Sequence, residues 1–547
     1  MKFLLLTLSL CLSFTVFSQD SLTLNDIPAA ERVIGVHFKP AERDSLFDDL
    51  KSNRKEYEKM RGFKLENGIP LSTWQSPVLP GMKFNQKQEP VNWNIPGNIA
   101  VPSNKNELAF YSILQLASLL KNKKISSVEL TKFFIDRLKK FGDTLQCVIS
   151  ITEDIALEQA ARADREIAAG KYRGSLHGIP YGLKDLFAVK GTKTTWGAAP
   201  FKDQSFDEDA YVYLKLKEAG AVLIAKFTLG ALAMGDYWFG GRTKNPWNLK
   251  KGSSGSSAGS TAATVAGLVP FAIGTETYGS IISPSTTCGA TGLRPTFGSI
   301  SRTGAMALSY SLDKVGPICR SAEDAAIVFN YLHGTDGKDR CAVQMPFNYT
   351  GKTDFSKMKI AYAKYYFDRG DTMGNELNVL DVYRKLGAQL IPVDFPDSTI
   401  YNFDIMGIII GAECAAQFDE FIRSNMADQM TRQGKGDWPN QFRTARFIPA
   451  VEYINAYRYR YLLMQKVNEV VGKFDAFICP TWGGNQVAIT NLTGHPAICF
   501  PTGFNKNKLP TSITLVGKLY GEATLLGIVK AFQDATGFNK QHPEMFK

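Results

Sequence analysis

The chain carries five histidines, His37, His177, His333, His495 and His542, and none lies in an obvious nucleophile motif. No His-Glu-x-x-His zinc signature and no Walker loop occurs. A nucleophilic enzyme built on this chain must therefore find its base among other residue types. His495, in Gly494-His495-Pro496, reads as a structural or pocket-wall residue. The stretch that stands out begins with Gly252-Ser253-Ser254-Gly255-Ser256-Ser257-Ala258-Gly259-Ser260 and reaches Gly274-Thr275-Glu276-Thr277-Tyr278-Gly279-Ser280-Ile281. Small residues here permit tight turns and close approach of backbone to a ligand. A flexible linker is the ordinary meaning of a Gly/Ser tract. This one opens into the apolar segment 261–273, which a linker does not.

Taken with their neighbours, these strings resemble the amidase signature family. The resemblance rests on GSSGSSAGS, GTETYGSI and TGLRPTFGSISRTG, and on the upstream Gly178-Ile179-Pro180-Tyr181-Gly182-Leu183-Lys184-Asp185. Asn245-Pro246-Trp247-Asn248, Pro480-Thr481 and Asn491-Leu492-Thr493-Gly494-His495-Pro496 follow in the family's order, and the similarity covers about residues 106 to 540. It implies a Ser-Ser-Lys triad: Lys184 as base, Ser256 as bridging serine, often with a cis peptide bond before it, and Ser280 as nucleophile, 24 residues later. It also implies an oxyanion hole from the backbone N–H groups of Thr277, Tyr278, Gly279 and Ser280.

Elementary chemistry is consistent with these roles. A serine hydroxyl attacks poorly until something takes its proton. Lysine does so only when neutral, which requires a desolvated site or nearby positive charge. Ile179, Leu183, Leu186 and Phe187 are apolar flanks able to bury Lys184. Ser256 can both donate and accept a hydrogen bond, and so relay a proton. Three positions depart from the family pattern: Ile282 where arginine is common, Glu276 where aspartate is common, and Tyr278 where a small or polar residue is usual. The first two predict loss of an acid–guanidinium contact; the third predicts a narrowed pocket or a reoriented oxyanion loop.

The elements that must hold these residues alternate between helix and buried strand. Ile113, Leu116, Leu119 and Leu120 mark an amphipathic helix. Ser126-Ser127-Val128-Glu129 reads as the start of the next, with Val128, Leu130, Phe134 and Leu138 on its buried side. A strand at 147–152, a helix from Ile155 to Gly170 and a strand at 221–225 follow. The pattern indicates an α/β class, and the family resemblance implies a central mixed, twisted sheet flanked by helices on both faces. Aromatic residues between 365 and 450 (Tyr365, Tyr366, Trp438, Phe442) are expected to help wall the substrate pocket.

Three parts are expected: a signal peptide over 1–18, an N-terminal extension over 19–105, and the amidase signature domain over 106–547. The basic start, the apolar run Phe3 to Phe17 and the small residues Val16 and Ser18 fit a cleavable secretory signal. The run is short for a bilayer span, which takes about 20 residues, so export to periplasm or medium is expected, without stable membrane insertion. Within the extension a helix is expected over 43–61, with Leu46, Leu50 and Tyr57 at near-helical spacing, and an extended segment over 80–102. The net charge of +11 is scattered and accompanies no nucleic-acid motif, so no nucleic acid is expected as a partner. The eight cysteines show no Cys-x-x-Cys pair and no histidine companion at metal spacing. Several lie in apolar surroundings that suit buried thiols. No metal and no cofactor is expected.

The reaction this implies is hydrolysis of a small-molecule carboxamide through an acyl-enzyme. The alternatives are the glutaminase component (the A chain) of a tRNA-dependent amidotransferase, an esterase using the same triad, and a non-catalytic binding protein on the same scaffold.

Overall fold

The computed structural model describes residues 22–62, 66–69, 72–368, 375–396 and 404–547. The expected signal peptide, 1–18, lies outside the described residues. The chain divides into two compact units after residue 65, whereas the sequence pattern places the boundary at 106. In the smaller unit, helices Asp26–Ile34 and Pro40–Arg61 are tied by a two-pronged ion pair from Arg43 to Glu31 at 2.8 and 2.7 Å. The second helix is the one expected over 43–61, but it buries none of its residues; Leu50 and Tyr57 are exposed.

The larger unit is built on one mixed sheet of eleven strands. In chain order these are β1 (Val148–Ile151), β2 (Pro180–Lys184), β3 (Val222–Phe227), β4 (Ala272–Glu276), β5 (Thr291–Arg294) and β6 (Lys314–Cys319). The rest are β7 (Ile360–Ala363), β8 (Leu390–Val393), β9 (Ala476–Pro480), β10 (Ala497–Phe504) and β11 (Pro510–Val516). Across the sheet they run β1-β3-β2-β4-β6-β5-β10-β11-β9-β7-β8. β3, β2 and β4 are mutually parallel, as are β9, β7 and β8, and the other pairings are antiparallel. Helices flank the sheet, giving the α/β class.

The burial pattern explains the strand sequences. Every residue of β2, β3, β5 and β6 is buried, as covering on both faces demands. The edge strands β1 and β8 are only partly buried. Around them the expected helices form, the one read from Ile155 to Gly170 running over Glu153–Ala168. Ser126 and Glu129 close a reciprocal capping box on helix Ser127–Leu145, whose Leu130, Phe134 and Leu138 are buried. Helix Ile113–Lys121 buries Ile113, Leu116, Leu119 and Leu120. Residues 80–102 are without helix or strand. Further upstream, Asn67 exchanges two 2.9 Å hydrogen bonds with the backbone of Ala307.

The seven cysteines after residue 21 are free thiols, six of them buried. Among the described residues no helix is long and apolar enough to cross a membrane.

Candidate active site

Lys184 is the last residue of β2, an interior strand third from one edge of the sheet, and is fully buried. Its flanks Ile179, Leu183, Leu186 and Phe187 are buried with it. Burial pulls its amine down to about 7, against the opposing pull of the Asp313 and Glu276 carboxylates. The side-chain nitrogen donates to Ser256 Oγ at 2.8 Å and to Thr275 Oγ1 at 2.8 Å, with longer contacts to Ser257 Oγ at 3.3 Å and the Thr275 carbonyl at 3.4 Å. Ser256 follows a cis peptide bond from Gly255. Gly255 is required at this point, because a Cβ there would run into the Gly235 carbonyl. Ser257 ties the two segments together: it accepts from the Thr275 amide at 3.2 Å and donates to the Thr275 carbonyl at 3.0 Å.

Strand β4 delivers the second half of the site. Alternate side chains of a strand point to opposite faces. Thr275 and, just past the strand end, Thr277 serve one side: the first meets Lys184, and the second donates to Asp313 Oδ1 at 2.6 Å. Glu276 serves the other. Its Oε1 accepts from Arg294 at 2.9 Å and Asn491 at 2.8 Å; its Oε2 accepts the amides of Ile281 and Ile282, both at 2.9 Å. Burial raises this carboxyl, but Arg294, the Ile282 amide, Lys314 and Asn491 together hold it below its usual range. The acid–guanidinium contact expected to be lost is therefore present. With Ile282 at the usual arginine position, the guanidinium comes from Arg294 at the end of β5.

Between these anchors the chain turns through Tyr278, Gly279 and Ser280 into helix Ile282–Cys288. Gly279 has φ +87°, a conformation that favours glycine. Among the described residues, no hydrogen bond engages the amides of Thr277, Tyr278, Gly279 and Ser280 or the Ser280 hydroxyl, so all five groups are left uncommitted. Ser280 is 8% exposed, and its carbonyl accepts from the Ser257 amide at 3.1 Å, which sets the nucleophile candidate next to the segment that carries Ser256. The Ser256 and Ser280 hydroxyls are not hydrogen-bonded to each other. Catalytic hydrogen bonds commonly tighten only when substrate is bound. His495 is buried and bonded to Thr493 Oγ1 at 2.8 Å; burial and the Arg294 charge hold it down to about 3, so it is neutral and structural.

A cavity of about 710 Å³ adjoins the cluster, and its wall includes Thr275, Thr277 and Asp313. The wall continues through Trp74, Met306, Leu308, Tyr310, Tyr453 and Tyr457. The aromatic residues expected to form it do not. Trp438 and Phe442 are buried and stacked at 4.7 Å, with the Trp438 indole donating to the Leu232 carbonyl. Tyr365 and Tyr366 are absent from the wall as well, and two of the tyrosines present, Tyr453 and Tyr457, belong to helix Ala450–Val471. Tyr278 does not narrow the cavity: it is 47% exposed and not part of its lining. Among the described residues no cluster of ligating side chains could hold a metal ion.

Sequence alone does not single out Thr275, Ser257 or Asp313, and it gives Arg294 and Asn491 no role. One signal points to Asp313: an acid between Leu312 and the apolar run of β6, where solvated charges do not usually sit.

The amidase family model matches residues 129–490. The A component of the glutamyl-tRNA(Gln) amidotransferase of Coxiella burnetii is 34% identical over 484 residues, covering 79% of this chain and 99% of that protein. The peptide amidase of Stenotrophomonas maltophilia superposes with a TM-score of 0.71 at 27% identity, over 81% of this chain and all of that one. An amidase family protein of Bacillus anthracis gives 0.73 at 25% identity, over 80% and 94% of the two chains.

Proposed function

Because the chain belongs to the amidase family and is a hydrolytic enzyme of that family, we propose that it cleaves carboxamides with Ser280 as nucleophile, Ser256 as relay and Lys184 as base. The observation that carries this reading is the 2.8 Å hydrogen bond from Lys184 to Ser256 in a fully buried setting, beside the uncommitted hydroxyl of Ser280. A lysine lowered to about 7 is substantially neutral at physiological pH and can accept a proton.

In the forward step the neutral amine takes the Ser256 proton while Ser256 takes that of Ser280. Ser280 Oγ then bonds to the carbonyl carbon, and the electron pair of the C=O moves onto oxygen. The amides of Thr277 to Ser280 receive that charge. The protonated lysine returns its proton through Ser256 to the nitrogen as the C–N bond breaks. The amine leaves, and water entering along the same path hydrolyses the acyl-enzyme.

Covalent labelling tests the assignment. A fluorophosphonate should label wild-type protein at Ser280, and Ser280→Ala should neither label nor hydrolyse any member of a diverse amide panel while keeping its circular dichroism. Wild-type turnover in Ser280→Ala would remove the assignment.

A second reading is favoured by the amidotransferase relatives: a glutaminase that passes ammonia to a partner. Glutamine hydrolysed in strong preference to every other amide in the panel would select it. We further propose export, on the strength of the basic start and apolar run ahead of residue 18. Unprocessed N-terminus in the cytosol of the producing cell would remove that.

A further inference from the structure

We propose that Asp313 is a positioning residue for this reaction: it holds the oxyanion loop through Thr277 and presents its negative charge toward Lys184. The inference rests on the reading of Lys184 and Ser280 as base and nucleophile.

The geometry begins with the ladder between β4 and β6. Lys314 pairs with Glu276, so the next position outward sets Asp313 opposite Thr277. There Asp313 Oδ1 accepts the Thr277 hydroxyl at 2.6 Å. Its Oδ2 accepts the amides of Leu308 and Ser309 at 2.8 and 2.9 Å. Burial raises this carboxyl above its usual range, and the three donors, each aimed at a carboxylate oxygen, work against that rise and favour the ionised form. Thr277 is the first residue of the loop that offers its amides to the substrate oxygen, so Asp313 fixes the loop at its root.

The same carboxylate is held from behind. Ser309 donates to Glu413 Oε2, and the Ser311 amide reaches the same oxygen at 3.2 Å. Glu413 is buried on helix Asp404–Gln417, and its other oxygen receives Tyr453 at 3.0 Å and Tyr457. Arg460 clamps Ser311 at its hydroxyl and its carbonyl, 2.8 and 2.9 Å away. Two of these groups, Tyr453 and Tyr457, line the cavity. A continuous run of hydrogen bonds thus leads from the cavity wall through the 309–313 strap to Asp313, Thr277 and the oxyanion loop.

The charges around the base complete the case. The carboxylates facing Lys184 are Asp313, ahead of β6, and Glu276, on β4. Facing Asp313 are Lys184, Arg302, Lys314 and the Cys414 thiol of helix Asp404–Gln417. Glu276 is already neutralised by Arg294. Burial lowers the Lys184 amine and so weakens it as a base, and a general base works best with a pKa near the working pH. The negative charge of Asp313 favours the protonated amine and so draws the lysine back up.

The test measures acylation per labelled active site against pH for wild type, Asp313→Asn and Thr277→Val. In wild type the rate should rise through the lysine titration near pH 7. Removing the Asp313 charge should move that rise to lower pH by about half a unit or more and lower kcat with little change in KM. Thr277→Val removes one hydrogen bond and no charge. It should lower kcat roughly tenfold with the rise in its wild-type place. A merely structural role would reduce the number of labelled sites and leave both quantities unchanged. If wild type itself is not labelled at Ser280, the underlying reading falls and the proposal with it. If wild type is labelled but the Asp313→Asn profile stays in register with it, only the proposal falls. Should Asp313→Asn not fold, Thr277→Val decides: kcat within roughly twofold of wild type overturns the proposal.

Discussion

The Arg294 guanidinium lies 2.9 Å from the Glu276 carboxylate, with both side chains almost wholly removed from solvent. One oxygen of the acid binds the arginine and Asn491, and the other gathers the amides of Ile281 and Ile282. The pair therefore anchors the turn carrying Ser280 at the point where it enters the helix.

Glu276→Gln should be strongly destabilising. The amide cannot accept on both ends, and Arg294 would remain buried without its counter-ion, at a cost of about 3–5 kcal/mol. Thermal unfolding and urea midpoints check this; an unchanged midpoint would contradict it. The carboxyl is held below its usual value, so the stabilisation is full above about pH 4.5 and is lost as pH falls through the lower, folded value.

For Lys184, acylation should be half-maximal near pH 7 and rise toward alkaline pH, because the neutral amine is the active form. Stability follows the same titration. The unfolded lysine keeps its proton up to about 10.5 while the folded one loses it near 7, so its contribution to stability grows between those values. Lys184→Arg should lose amide turnover by a factor of roughly 100 or more, since arginine cannot accept the proton. A flat acylation profile from acid to alkali, or near-normal turnover in Lys184→Arg, would overturn this.

Gly255→Ala should impair both folding and activity. The added methyl meets the Gly235 carbonyl, which is backbone and cannot rotate away. We expect destabilisation of about 1–3 kcal/mol and a fall in labelling of Ser280, measured on the same preparation. Wild-type stability with full labelling would show that the 235 and 255 segments yield to each other.

Treatment with EDTA should leave turnover unchanged, because the proposed groups balance every proton and charge of the reaction. Loss of rate on chelation, restored by one metal ion, would refute it.

Much of this is legible in the sequence. Ser126 with Glu129, the wholly buried run of β3 and the Gly/Ser strings each carry local signals, and a capping box or a two-sided buried strand is set by nearby residues. The partner of Glu276 is not legible, because Arg294 lies 18 residues away and meets it only through the ladder of β5, β6 and β4. The cavity wall misleads for a similar reason. Trp438 and Tyr453 are equally aromatic in sequence, and tertiary packing alone sends one into the core and the other to the wall. Residues 66–105 group with the larger unit because of contacts such as Asn67 with Ala307, which no composition reveals.

The alternation along β4 makes the chemistry depend on pairing register. A slip of one residue against β6 would turn every side chain of the strand over. Glu276 would then meet Lys184 as a fixed counter-charge, keeping the amine protonated, while a threonine hydroxyl would face Arg294 and leave it unneutralised. A single-residue insertion or deletion in 272–275 would thus convert the base into an inert ion pair even if each proposed catalytic residue were still in the chain.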